Sequence, residues 1–156
     1  MTKASTAHIP QDYHSITPNI IVKGAEKYLE FLVTAFEGKE IYRMQGANGS
    51  IGHAEVKIGN SRVMLGEATE KMKPTQGSFY LYVEDADASY KRALEYGAVS
   101  IMKPADQFYG DRHGGVKDPA GNQWWIAARV EEVSEQEMNK RAEQWRKDNP
   151  PAESAT

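Results

Sequence analysis

Histidine and carboxylate side chains are the residues of this sequence best suited to bind a metal ion or to move a proton. His53 and Glu67 flank the pair Gly59-Asn60, which is a signal for a two-residue hairpin turn. If both lie on one sheet, they would supply two ligands of a divalent-metal site that water molecules complete. A single histidine on a strand is more often a hydrogen-bonded structural residue, and we favour that interpretation of His53.

A second histidine lies beside a carboxylate in the segment 106–119, DQFYGDRHGGVKDP. His113 could act as a general base with Asp111 as the carboxylate that orients it. The alternative, which we favour from sequence, is a solvent-facing histidine in a loop. Arg112 has two open interpretations, because its guanidinium could bind an anionic ligand or could pair with Asp111 and hold the loop in shape.

Aromatic residues are concentrated in the second half of the chain: Tyr80, Tyr82, Phe108, Tyr109, Trp124 and Trp125. Because neighbouring residues of a strand point to opposite faces, one set should line a cleft and the other should pack on a helix as ordinary core. Aromatic walls suit flat or hydrophobic ligands. The residues expected to bind a ligand are Tyr82, Phe108, Tyr109, Arg112 and Trp125.

The composition excludes several classes of protein. The chain has 156 residues, 19 Lys and Arg against 22 Asp and Glu, a net charge of −3, four His and no Cys. Without Cys there is no disulfide, thiolate nucleophile or Cys-based zinc finger, which fits a reducing compartment. The charges form no basic stripe, so nucleic-acid binding is not expected. The sequence shows neither a secretory signal nor a membrane span, so a cytoplasmic location with no membrane partner is expected.

Hydrophobic spacing divides the chain into two similar halves. Helices are predicted at about 25–36 and 86–96, the second capped by Asp85, and each follows a short extended segment. Val22 and Val83 are 61 residues apart, and the Gly59-Asn60 and Gly121-Asn122 pairs are 62 apart, which indicates an internal duplication. Further strands are predicted at 40–45, 53–58, 62–65, 99–102, 115–117 and 123–127.

These elements predict an α+β fold of two βαβββ modules, at about 15–68 and 78–130. Residues 1–14 should form a flexible N-terminal segment and 148–156 a tail. Between module and tail, a helix is predicted at 134–147, where Ser134 and Glu137 form a capping box. One side of this helix is apolar and should dock on the sheets or on a second subunit. That side consists of Met138, Ala142 and Trp145.

The second module resembles the vicinal oxygen chelate superfamily of glyoxalases, bleomycin-resistance proteins and extradiol dioxygenases in the segments YVEDADASYKRALEYGA and KDPAGNQWWIA. Two further segments resemble the PhnB-like branch more specifically, TPNIIVKGAEKYLEFL and DQFYGDRHGGVKDPAGN. The resemblance covers about residues 15–130. It implies a ligand cleft built from paired modules, and it favours a homodimer because the family often completes such clefts between subunits.

The resemblance also implies a metal ion held by four side chains, mostly His and Glu. The corresponding positions are Thr17 and Ser78 on the opening strands, Trp125 at the end of the second module and Glu67 at the end of the first. Only Glu67 is a good ligand for a divalent ion. We therefore expect no catalytic metal and no other cofactor.

The expected function is the binding of a small organic, aromatic molecule in the cleft, and whether the protein is an enzyme stays open. The alternative is a lyase, isomerase or dioxygenase that depends on a divalent metal such as Zn, Ni, Fe or Mn. It would use His53 and Glu67, with His113 as a further candidate. A dimeric scaffold without a small ligand is the third possibility.

Overall fold

The computed structural model describes residues 6–152, which form two four-stranded sheets and three α-helices. Both ends of the chain, 1–5 and 153–156, lie outside the described residues, and so do the outer parts of the predicted N-terminal segment and tail. The first module comprises β1 (Asn19–Val22), α1 (Ala25–Ala35), β2 (Lys39–Gln45), β3 (Ile51–Ile58) and β4 (Ser61–Glu67). The second module comprises β5 (Ser78–Tyr82), α2 (Ala86–Glu95), β6 (Val99–Asp106), β7 (Asp111–Lys117) and β8 (Gln123–Arg129). A third helix, α3 (Glu135–Asp148), follows.

The two sheets have the same strand order, β1-β4-β3-β2 and β5-β8-β7-β6. In each, the opening strand pairs in parallel with the closing strand, and the other neighbours are antiparallel. The predicted α+β fold of two βαβββ modules is therefore confirmed.

Helices α1 and α2 cover one face of each sheet and share a single hydrophobic core. Apolar residues of α1 recur every three or four positions, so they form one buried stripe against the first sheet. The predicted cap of α2 is confirmed, because the Asp85 carboxylate accepts a hydrogen bond from the Ala88 amide at 3.0 Å. The rings of Phe36 and Trp124 lie 4.7 Å apart and join the two modules.

Strands β6 and β7 are longer than predicted. Strand β6 ends at Asp106, and β7 begins at Asp111. The prediction began this strand at Gly115 and left Gly114 and the residues before it in a loop, whereas both glycines lie inside β7. Gly115 has no room for a side chain, because a Cβ on it would overlap the ring of Trp125 on the neighbouring strand.

Helix α3 docks on the turn between β6 and β7 rather than on a sheet. The Arg141 guanidinium donates to the Phe108 carbonyl at 3.2 Å, and the rings of Phe108 and Trp145 lie 6.0 Å apart. Ser134 caps the helix by accepting from the Glu137 amide at 3.2 Å. The other half of the predicted capping box does not form, because the Glu137 carboxylate accepts from Arg141 at 3.0 Å instead. Of the helices formed by residues 6–152, none has the length and apolar content needed to cross a membrane.

Candidate functional site

The face of the second sheet opposite the helices carries a cluster of aromatic and polar side chains. Strand alternation places Phe79 and Trp124 on the helix side of the sheet, Trp124 buried and Phe79 partly buried, and leaves their neighbours on the other side. Tyr80 is in register with Trp125, and Tyr82 is in register with Ala127, which in turn is opposite His113. We call this cluster the aromatic face: Tyr80, Tyr82, Tyr109, Asp111, His113 and Trp125.

Asp111 is the only carboxylate of the aromatic face and is 5% exposed. Its Oδ2 accepts hydrogen bonds from the hydroxyl groups of Tyr80, at 2.8 Å, and Tyr82, at 2.9 Å. Burial and then the bond to Asp111 raise the pKa of Tyr80. For Tyr82 the bond to Asp111 is the larger of the same two causes of a raised pKa. Both phenols are therefore held as protonated donors to the carboxylate.

His113 lies in β7 and is 9% exposed, so the favoured interpretation of a solvent-facing loop histidine was wrong. Burial lowers its pKa below the usual 6.5, which favours the neutral imidazole. Nδ1 lies 3.1 Å from the Tyr80 hydroxyl, whose single proton goes to Asp111. A hydrogen bond from His113 to that oxygen therefore needs the proton on Nδ1. The Tyr109 hydroxyl lies 3.4 Å from Nδ1 and 3.3 Å from Nε2, so it does not distinguish the two nitrogens. Asp111 thus connects to His113 through Tyr80.

Trp125 lies on β8, beside Tyr80 of β5. Its ring lies 5.8 Å from that of His113, and its Nε1 donates to Ser78 Oγ at 3.1 Å. The rings of Tyr80 and Tyr82 lie 5.3 Å apart, and these two side chains are 43% and 61% exposed. The face can therefore offer ring surfaces to a flat molecule and a buried carboxylate to a hydrogen-bond donor.

Two residues of the expected ligand-binding set, Arg112 and Phe108, lie off the aromatic face. Arg112 points to the helix side, where it pairs with Asp87 at 2.6 Å and Asp106 at 3.1 Å. The salt bridge between Arg112 and Asp111, one of the two open interpretations, does not form, because consecutive residues of β7 face opposite sides. Phe108 packs in the turn, 5.2 Å from the ring of Tyr109.

The structure does not bring His53 and Glu67 together. Leu65 and its partner Ala54 face the core, so Glu67, two residues after Leu65, lies on that side and His53 on the other. Glu67 accepts hydrogen bonds from the amides of Gly24, at 2.9 Å, and of the next residue, at 2.7 Å, and so caps α1. His53 Nε2 lies 3.5 Å from a carboxylate oxygen of Glu55.

The residues at the four positions implied for a metal do not fit one. Ser78 and Trp125 bond to each other, and Glu67 is engaged at the start of α1. Thr17 supplies a neutral hydroxyl, which is a poor ligand for a borderline divalent ion. Across the described range 6–152, no three His, Asp or Glu residues are grouped closely enough to hold an ion.

Asp118 in the DPAGN turn has a structural role that the sequence did not indicate. It is 4% exposed, and its Oδ2 accepts from the Tyr28 hydroxyl at 2.7 Å and from Trp124 Nε1 at 2.8 Å. Its Oδ1 accepts from the amides of Ala120 and Asn122, each at 2.9 Å. Because Tyr28 belongs to α1, this carboxylate joins the first module to the second.

The sequence prediction also omitted Tyr80 from the ligand-binding set. Tyr80 donates to Asp111 and contacts His113, so it is central to the aromatic face. The signal was present, because Tyr80 and Tyr82 are two residues apart on one strand and must share a face.

A family model and a relative at 33% identity match most of this chain. A family model described as the Glyoxalase/Bleomycin resistance protein/Dioxygenase superfamily matches residues 13–126. An uncharacterized protein of Mycobacterium bovis is 33% identical over 135 residues, which cover 80% of this chain and 89% of that protein.

Solved structures share the fold at low sequence identity. The crystal structure of TioX from Micromonospora sp. ML1 has a TM-score of 0.65 at 23% identity and covers 75% of this chain and 99% of TioX. A PhnB protein from Bacillus cereus has a TM-score of 0.59 at 16% identity and covers 74% of this chain and 99% of that one. At these identities the similarity is one of fold.

Proposed function

We propose, from the premise that this chain belongs to the Glyoxalase/Bleomycin resistance protein/Dioxygenase superfamily, that it binds a small planar organic molecule on the aromatic face without a catalytic metal. One observation carries the proposal: half-exposed tyrosine rings and Trp125 surround a buried polar network on the face away from the core. Within the superfamily we place the chain near the PhnB-like branch, which the fold similarity to the Bacillus cereus protein supports.

Stacking supplies the binding energy in this proposal. The rings of Tyr80 and Tyr82 are accessible, and each stacked aromatic pair adds about 0.5–1.5 kcal/mol beyond burial. Trp125 is held in place by its bond to Ser78, so little side-chain entropy remains to be lost on binding. Preorganised rings of this kind favour a rigid flat ligand.

The metal-free part of the proposal rests on the chemistry of the donor set. Ser78 and Trp125 satisfy each other's hydrogen-bonding groups at positions where the superfamily places metal ligands. A Trp ring offers no lone pair for coordination. We therefore derive no reaction step through a metal.

A divalent-metal-dependent lyase, isomerase or dioxygenase is the second candidate. The observation in its favour is the contact of His53 Nε2 with Glu55 at 3.5 Å, which places a nitrogen and a carboxylate ligand side by side. We also propose a homodimer, in which the second copy would cover the open sheet faces and help enclose the ligand.

The two candidates are separated by metal analysis of protein purified without a chelating resin. The metal-free proposal expects less than about 0.1 divalent ion per subunit and a melting temperature that EDTA leaves unchanged. One ion per subunit that EDTA removes, together with a drop in melting temperature, would favour the metalloenzyme. In that case His53→Ala should abolish metal uptake.

Ligand binding is tested with quinoline, a neutral planar probe, by calorimetry and by quenching of tryptophan fluorescence at pH 8. Replacing Tyr82 by Leu removes one accessible ring and should weaken binding about three- to ten-fold. Tyr96→Leu is the matched control, because Tyr96 is 51% exposed against 61% for Tyr82 but lies at the end of α2. Equal weakening in both variants would contradict binding on the aromatic face.

A further inference from the structure

We infer that the aromatic face selects a planar organic cation, with Asp111 as the counter-charge of the bound ligand. This inference rests on the proposed function and adds the charge of the ligand to it. It follows from the charges on the two sides of the second sheet and from the burial of one carboxylate.

Asp111 is a buried carboxylate without a cationic partner. It is 5% exposed, and no ion pair within residues 6–152 joins it to Lys, Arg or His. Two neutral phenols are its side-chain hydrogen-bond donors. Burying a carboxylate costs free energy unless a positive charge compensates it, and neutral donors compensate it only in part. A ligand cation that stacks on the face would complete this compensation.

The positive side chains next to Asp111, in the sequence or across the sheet, form no ion pair with it. Arg112 lies on the opposite side of the sheet, where two aspartates already hold it. Arg129 is in register with Asp111 on β8 and is close enough to Tyr82 to offset part of the rise in the pKa of that phenol, but it is exposed and makes no ion pair with Asp111 within 4.0 Å. His113 is held neutral by burial, so it does not repel a cation.

The aromatic rings around Asp111 also favour a cationic ligand over an anionic one. A phenol that donates its proton to a carboxylate has a more electron-rich ring, and the faces of Tyr and Trp rings attract cations. Tyr80 and Tyr82 both donate to Asp111, and Trp125 faces the same side. An anionic ligand of the same shape would meet the carboxylate and the negative ring faces together, so it should bind more weakly.

Three probes with the same fused two-ring shape separate charge from shape: N-methylquinolinium as the cation, quinoline as the neutral form and 2-naphthoate as the anion. In wild-type protein at low salt, the cation should bind at least about ten-fold more tightly than the anion. Raising the salt concentration should weaken binding of the cation and leave quinoline unchanged, because screening acts on charge.

Asp111→Asn should reduce the affinity for N-methylquinolinium about ten-fold and change that for quinoline by less than about two-fold. Asp106→Asn is the matched control, because it removes the same charge from the same sheet at a residue that is paired with Arg112. The control should keep the preference for the cation.

The outcomes are distinguishable. Tighter or equal binding of 2-naphthoate, or cation binding that salt leaves unchanged, would overturn the inference while the proposed function stands. If none of the three probes binds, the proposed function itself fails. The salt series uses wild-type protein, so the inference can be rejected even where Asp111→Asn does not fold.

Discussion

Burial sets the chemistry of His113 more than its neighbours in the sequence do. The imidazole is buried on the aromatic face, where the hydroxyl groups of Tyr80 and Tyr109 lie within 3.4 Å of its nitrogens. Its pKa is lowered because the charged form is poorly solvated there. A histidine whose pKa is lowered by burial also makes the stability of the fold depend on pH.

We predict that the free energy of unfolding falls as the pH is lowered from about 7 to 5.5. In the unfolded chain His113 titrates near 6.5, whereas in the folded chain its pKa is lower. Between these values the unfolded state binds more protons, so stability is present above 6.5 and is lost as the pH falls toward the lowered pKa. Urea denaturation at several pH values measures this slope.

The control for this prediction is a second histidine. His113→Gln should flatten the slope between pH 7 and 5.5, whereas His53→Gln should retain it. A slope that survives unchanged in His113→Gln would contradict the assignment. Asp87 and Glu131 have lowered pKa values, but their effect falls at more acidic pH than this window.

At the scale of elements, α3 holds the turn that carries Tyr109. Arg141 makes the central contacts, since it donates to the Phe108 carbonyl at 3.2 Å and to Glu131 at 2.7 and 2.8 Å. The ring of Trp145 lies against Phe108, which in turn contacts Tyr109. Since α3 has no buried residue, these few contacts fix its position.

We predict that Arg141→Met loosens this turn without unfolding the sheets. Amide hydrogen exchange at residues 107–110 should become about ten-fold faster, because the substitution removes charge-assisted bonds at the turn. Arg146→Met is the matched control, since within residues 6–152 the Arg146 side chain on the same helix bonds only to the Ala142 carbonyl in its own turn. Equal exchange in the two variants would contradict a role of α3 in positioning Tyr109.

The helices and module order could be predicted because their signals are local. Apolar spacing and the Asp85 cap define α2 to within one residue. The first half of β7, residues 111–114, could not be predicted, because glycine is typical both of loops and of close packing between strands. What distinguishes the two at Gly114 is Pro104 of β6, which a Cβ would approach to 3.0 Å and which lies there only through the pairing of β6 with β7.

The same limit applies to the site. Alternation places Tyr80 and Tyr82 on one face, but their shared contact with Asp111 depends on the register of β5, β8 and β7. His53 and Glu67 lie apart because they are on opposite faces of the first sheet and because Glu67 caps the start of α1. Neither can be read from spacing along the chain.

For the whole molecule, the link between modules passes through Asp118 and Tyr28. Tyr28 is 3% exposed, donates to Asp118 at 2.7 Å and accepts from Asn122 at 3.2 Å. Burial and the neighbouring carboxylate raise its pKa, so it remains a donor at any working pH. The two modules therefore share a hydrogen-bond network as well as a core.

We predict that Tyr28→Phe lowers the free energy of unfolding by about 1–3 kcal/mol, because it leaves buried polar groups of Asp118 and Asn122 without one partner. Tyr96→Phe is the control, since Tyr96 is 51% exposed, and it should change stability by less than about 0.5 kcal/mol. Urea denaturation measures both. A loss below about 0.5 kcal/mol in Tyr28→Phe would contradict the link.

The adjacent residues Trp124 and Trp125 of β8 have different roles. Trp124 bonds to Asp118 at the junction of the modules, and Trp125 bonds to Ser78 on the aromatic face. Because the two networks lie on opposite sides of the sheet, ligand preference can be redesigned or can diverge without loosening the scaffold. A combinatorial library at Ser78, Tyr80 and Tyr82 would explore new specificities while the junction stays intact.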